Sequence, residues 1–234
     1  MTRSFNQLIY EIIELYRANY KVTDSMDERL VATWIQQTRA RLLKQRFDEN
    51  MRFIDEHNVQ DLGYIQLERV DSSVVSSINS DKNILRTNRD LPTTIDRKGC
   101  IGTFTRLSTG DRFVNNINLV SYERALRSGN GKFNSNDLYA YLDGKRICIL
   151  SKSGLHLGLN YIHIKGVFTN PIEAYEFKNG VGTYDWDYEY PISESIVDDL
   201  KNIIVKDNFR FVMTPLQDPV NNATDDLTNI QEQS

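Results

Sequence analysis

The 234 residues carry 28 basic and 32 acidic side chains, a formal net charge of −4, and are 40% hydrophobic and 26% charged. That balance belongs to a globular chain long enough to bury a sizeable core, not to a disordered or collagen-like one. No apolar run approaches the roughly 18 residues of a membrane span. The charge is unevenly spread. Residues 1–55 sum to +1, residues 56–169 to +4 and residues 170–234 to −9. An acidic last third argues against a nucleic-acid-binding surface there. It fits solubility, docking on a basic partner, or the lining of a passage that repels DNA. Met1–Asn6 lacks the apolar segment of a signal peptide, so no secretory context is expected, and the Asn222-Ala223-Thr224 glycosylation pattern is then incidental.

Ser4 and Gln7 have the spacing of a capping box, and Phe5, Leu8, Ile9, Ile12, Ile13 and Tyr16 follow at helical intervals. This predicts an amphipathic helix to about Asn19. Ser25 with Glu28 repeats the capping signal and opens a long second helix expected to run to about His57, antiparallel to the first. At Leu62 the period changes to two, and Tyr64–Val70 reads as a half-buried strand. Residues 71–99 are rich in Ser, Asn, Asp and Arg. That length is unusual for a structureless loop, so they form either an excursion or a pair of weakly signalled strands. Ile101–Phe104 and Phe113-Val114 are expected strands around a Thr109-Gly110 turn, and Ser121–Arg127 a short helical turn. Leu138–Leu142 and Arg146–Leu150 read as a hairpin closed by Asp143-Gly144, with a third strand at Leu159–Phe168. Pro171 suits a first helical position and opens a helix to about Glu176. A last helix starts near Ser193 with Ile196, Val197, Leu200, Ile203 and Ile204 as its buried stripe.

The expected class is α+β: an N-terminal helical hairpin over 1–57, a central antiparallel β domain with late helices over 58–214, and an extended acidic tail over 215–234. The tail is polar with few hydrophobes, and is expected to gain order by docking on another chain.

No chemistry-bearing motif stands out. His156 and His163 lie seven apart with Cys148 upstream, whereas a zinc site uses tighter ligand pairs, so His57, His156 and His163 are expected to be ordinary exposed or core residues. Cys100 and Cys148 each sit in a strand-like run and read as small buried hydrophobes, not a disulfide. Phosphate-binding, dinucleotide, zinc-protease and hydrolase-elbow motifs are missing from the sequence. No catalytic residue, metal ligand or cofactor is therefore expected. Two clusters have alternative readings. Asp185, Asp187 and Glu189 alternate with Tyr184, Trp186, Tyr188 and Tyr190. They form either a carbohydrate or cation site or a segment with aromatics inward and acids outward. Arg39, Arg41, Lys44 and Arg46 form no single basic stripe at ~100° per residue, and read as solvated or subunit-facing positions or as DNA-backbone contacts.

Three segments carry a family resemblance: DERLVATWIQQTRARLLKQRF in the second helix, YIHIKGVFTNP at the third strand of the hairpin region, and DNFRFVMTPLQDPVNNATDD near the end. They resemble ring-forming head–tail connector proteins of short-tailed bacteriophages, in particular those of the crAss-like phages. The resemblance spans most of the chain and is weakest over 71–99. It implies a non-enzymatic virion structural protein, made in the host cytoplasm and placed at the head–tail junction. It also implies a ring of twelve copies below the portal protein that contacts other connector or tail proteins. Double-stranded DNA would pass through without sequence-specific binding, and no membrane is involved. A tail-trunk or capsid-decorating protein is the alternative within virion structure.

Overall fold

The computed structural model describes residues 3–20, 26–49, 55–70, 84–95, 104–108, 117–127, 137–151 and 153–209. Helix α1 is Phe5–Tyr20 and α2 is Glu28–Glu49. The α1 capping box forms as the spacing requires: Gln7 N donates to Ser4 Oγ and Ser4 N to Gln7 Oε1, each at 3.1 Å. At α2 the carboxylate of Asp27 accepts from Arg29 N at 2.9 Å, so an Asx cap starts the helix. Ser25 lies outside the described residues. The second helix is shorter than predicted. Residues 56–58 form a separate 3₁₀ turn, capped by Asp55 accepting from His57 N, so the helical register does not continue to His57.

Seven strands follow: β1 (Gln60–Val70), β2 (Ile84–Thr87), β3 (Phe104–Ser108), β4 (Asn118–Leu119), β5 (Tyr139–Asp143), β6 (Arg146–Leu150) and β7 (Tyr161–Gly166). Strand β2 falls inside the polar stretch 71–99. Phe113-Val114, Ile101–Thr103 and Cys100 lie outside the described residues. Helices α3 (Tyr122–Arg127), α4 (Pro171–Asn179) and α5 (Glu194–Ile203) complete the described elements, α5 running on into a wider turn over Ile204–Phe209. Asn170 caps α4 by accepting from Ile172 N and Glu173 N, with Pro171 following it as the first helical residue.

The strands form one sheet in the order β3-β7-β1-β2-β6-β5-β4. It is mixed, not wholly antiparallel as expected, because β4 pairs with β5 in parallel. The hairpin loop is Gly144-Lys145, closed by the Asp143–Arg146 pair, one residue later than the sequence suggests. Gly144 has φ +60°, the positive value required at the first position of either tight hairpin turn. The sheet curls until its edges meet: Ile117 N, beside β4, donates to Leu107 O of β3 at 3.1 Å. This closure explains the composition of the interior. Leu62, Ile65, Leu67, Leu85, Leu107, Ile117, Ala140, Ile147, Ile149, Ile162 and Ile164 share one buried cluster inside the barrel. Each fully buried aliphatic there contributes about 1.5–3 kcal/mol.

A second core lies between α1, α2 and α5, with Tyr190, Ile192 and Phe209. The two cores meet at the end of β7, where Val167 belongs to the helical core and its neighbour Phe168 to the barrel.

Candidate functional site

The four basic residues of α2 have three different fates. Arg39 is fully buried, which corrects the solvated, subunit-facing and DNA-contact readings alike. Its Nε donates to Pro191 O at 2.8 Å and its Nη1 to Phe168 O at 3.0 Å. The guanidinium also sits 5.7 Å from the centroid of the Tyr190 ring. The reason is the width of the buried arc. Val31, Ile35, Thr38 and Leu42 make only half of it, and Ala32, Arg39, Leu43 and Phe47 make the rest. Arg39 thus joins α2, the end of β7 and the approach to α5. Desolvation lowers its pKa, opposed by Tyr190 and Tyr184. Arg39 Nη2 and the Tyr184 and Tyr190 hydroxyls have no protein partner among the described residues, so this seam is held by backbone carbonyls and ring faces. Arg46 donates to Ser195 Oγ, Ser195 O and Asp199, and Arg41 lies 3.7 Å from Asp207. Only Lys44 points out without an ion-pair partner among the described residues. The four do not form a phosphate-binding track.

The acidic, aromatic segment has a structural task. Trp186 O accepts from Asn6 N at 2.8 Å, Tyr188 O accepts from Phe5 N at 3.3 Å, and Tyr190 N donates to Arg3 O. These carbonyls satisfy N–H groups that the first turn of α1 cannot pair internally. Asp187 accepts from Asn6 Nδ2 at 3.0 Å, and Asp185 accepts from Asp187 N at 3.1 Å. Carboxylates beside a helix N-terminus are favourable by about 0.3–1 kcal/mol each. Tyr190 is buried against Phe5, stacked at 4.7 Å, while Asp185, Asp187, Tyr188 and Glu189 are exposed. The aromatics-inward, acids-outward reading therefore holds except at Tyr188. Two of the three carboxylates proposed for sugar chemistry are engaged, Asp185 in a turn and Asp187 with the Asn6 side chain.

The histidines do not converge. His57 pairs with Asp55 at the 3₁₀ turn, His156 is buried, and His163 Nε2 lies 3.0 Å from Asp61 on the barrel wall. Among the described residues no group of three or more His, Cys, Asp or Glu side chains is placed to hold a metal ion. Cys148 is buried, and desolvation, the largest influence, pushes its thiol up to about 11. Among the described residues no helix is long and apolar enough to cross a membrane.

Tyr64 on β1 and Tyr161 on β7 are 62% and 50% exposed, on the outer face of the barrel. The sequence did not single them out, although the alternation at 64–70 carried the signal: with Ile65 and Leu67 inside, Tyr64 must face outward. The fold thus combines a buried seam, an acidic segment beside the start of α1 and exposed tyrosines on the outer wall.

A family model described as phage tail ring protein 2, of the crAss type, matches residues 7–227. The chain belongs to this family. No curated protein sequence matches it. Membership makes the chain a structural component of the phage virion and a tail ring protein. The match spans both cores, from α1 through the seam to α5, so the helical layer and the barrel belong to one family unit.

Proposed function

We propose that this ring protein forms a closed ring of twelve copies in the head–tail connector, directly below the portal, where it extends the DNA channel and joins the portal to the tail. The observation that carries the reading is membership of a tail ring family over nearly the whole chain, read together with the connector-like segments in α2, β7 and the last third. The charge pattern supports it. Of the α2 cations, Arg39 is internal and Arg41 and Arg46 face Asp207 and Asp199 of the same chain. The carboxylates beside Arg41 and Arg46 offset part of their charge, in keeping with passage without gripping. The α1–α2 end is proposed to meet the portal, and residues 215–234, which lie outside the described residues, to dock on a neighbouring chain. No catalytic step is assigned to the chain.

Phage assembled without this chain tests the proposal. The connector reading expects heads and tails that fail to join, seen by negative-stain microscopy. Complete tailed particles lacking only a surface layer would overturn it in favour of a decorating protein.

A further inference from the structure

We propose that the bare barrel wall over β1 and β7 receives the next copy in the ring, and that the element seated on it is that copy's acidic, aromatic edge around Tyr10, Asp185, Asp187 and Tyr188. This rests on the ring reading and names the surfaces that would close it.

The outer face of the sheet has two halves. Over β5 and β6, helix α3 covers it. Tyr139 and Tyr141 are 8% and 2% exposed there, in a small core with Val70, Ile84, Cys148 and Ala125, and the Tyr122 ring sits 5.2 Å from that of Tyr141. Over β1 and β7 helix α4 reaches β1 near Gly63 and Gln60, and Tyr64 and Tyr161 stand out beside it. Tyr64 is nevertheless held in place. The Tyr64 ring lies 4.9 Å from the His163 ring, and His163 is anchored by Asp61, as is Lys165 at 3.7 Å. Rigid aromatic side chains on a scaffold are the usual anchors of protein interfaces.

Closure of the barrel limits how a neighbour can attach. With Ile117 bonded to Leu107, strand addition at the β3 edge would break a hydrogen bond already made there, so neighbours meet through side chains. A ring also needs two unlike patches on each subunit, one meeting the other at every contact. The second patch is on the helical layer. Tyr10, Val181 and Tyr188 are its most exposed large apolar side chains, and Tyr10 and Asp187 line one groove beside the start of α1.

The charges complement each other. Asp185, Asp187 and Glu189 are exposed and in no ion pair among the described residues. On the barrel wall, Asp61 already faces His163 and Lys165, with Lys178 close by against Gly63. One carboxylate therefore serves two lysines, and the wall keeps a positive excess. Aromatic rings with surplus lysines on one side and aromatic rings with surplus carboxylates on the other suit heterologous docking.

Zero-length carbodiimide coupling of intact particles tests this. The Lys165–Asp61 pair should couple within single chains and serve as the internal control. The covalent dimer should contain Lys165 or Lys178 joined to Asp185, Asp187 or Glu189. Tyr64→Ser and Tyr161→Ser should leave the thermal midpoint unchanged while raising the concentration needed for ring formation by at least about tenfold. Lys165→Glu should weaken rings, and adding Glu189→Lys should restore them. A ring that stays intact while its dimers are linked only through other surfaces overturns this interface alone, as do rings of the tyrosine variants at the wild-type concentration. Particles in which the chain closes no ring overturn both the interface and the ring reading.

Discussion

The seam around Arg39 and the wall around Tyr64 use similar residues to opposite ends. At the seam, a cation and an aromatic ring are buried together, and the guanidinium donates to two carbonyls more than 120 residues away in sequence. On the wall, aromatic rings and Lys165 lie on a strand pair with their outer faces in solvent. The seam therefore governs whether the helical layer and the barrel form one body. The wall governs what that body touches. The difference should appear as two classes of variant, one losing stability and the other losing assembly.

The sharpest contrast is at Arg39. Arg39→Ala leaves Phe168 O and Pro191 O without their donor and opens a cavity, so stability should fall by about 3–5 kcal/mol in urea titration. Arg39→Met fills most of the volume and should lose clearly less. Equal losses would mean that the seam is held by the donated hydrogen bonds, which both variants lose, and not by filled volume. Ile164→Ala, inside the barrel beneath the same wall, should lose about 2–5 kcal/mol. That result would separate the inner face of β7, which holds the fold, from the outer face with Tyr161, where substitution should change stability by no more than about 0.5 kcal/mol.

Smaller effects sharpen the same division. Ser4→Ala removes half of the α1 capping box and should lose about 1 kcal/mol, with Gln7→Ala similar. Acid should act through Asp55 and Asp61. At Asp55 the Ser193 hydrogen bond leads in holding the carboxyl below its ordinary 3.8. At Asp61 burial pushes up, but the Gly63 N–H and the charges of His163, Lys178 and Lys165 together hold it below the same value. Depressed carboxyls add stability that is complete above the ordinary value and is lost as pH falls through the lower, folded one. The urea midpoint should then be flat above about pH 5 and decline below about pH 4, less steeply in Asp61→Asn.

Local features were legible in the sequence and long-range ones were not. The Ser4–Gln7 box, the Asn170-Pro171 helix start and the β5–β6 hairpin depend on neighbours within four residues, and each forms within a residue or two of its expected place. Strand β2 was hidden because it is four residues long inside a polar stretch and is held by β1 and β6. The burial of Arg39 was hidden because it depends on Phe168 and Pro191, which no periodicity of α2 can reveal. The same applies to Asp187, whose place at the α1 N-terminus joins residues 6 and 187. The ring role was legible only as resemblance, because its surfaces are ordinary tyrosines, lysines and carboxylates whose grouping appears only once the barrel closes.

The central claim is a ring of this chain between portal and tail. Symmetry-averaged electron cryomicroscopy of the head–tail junction in intact particles tests it most directly. The account predicts a closed ring of twelve copies directly below the portal, with the barrel of each subunit against the helical layer of the next and duplex density on the axis. Density for this chain on the capsid exterior, or along the tail with no contact to the portal, would contradict it.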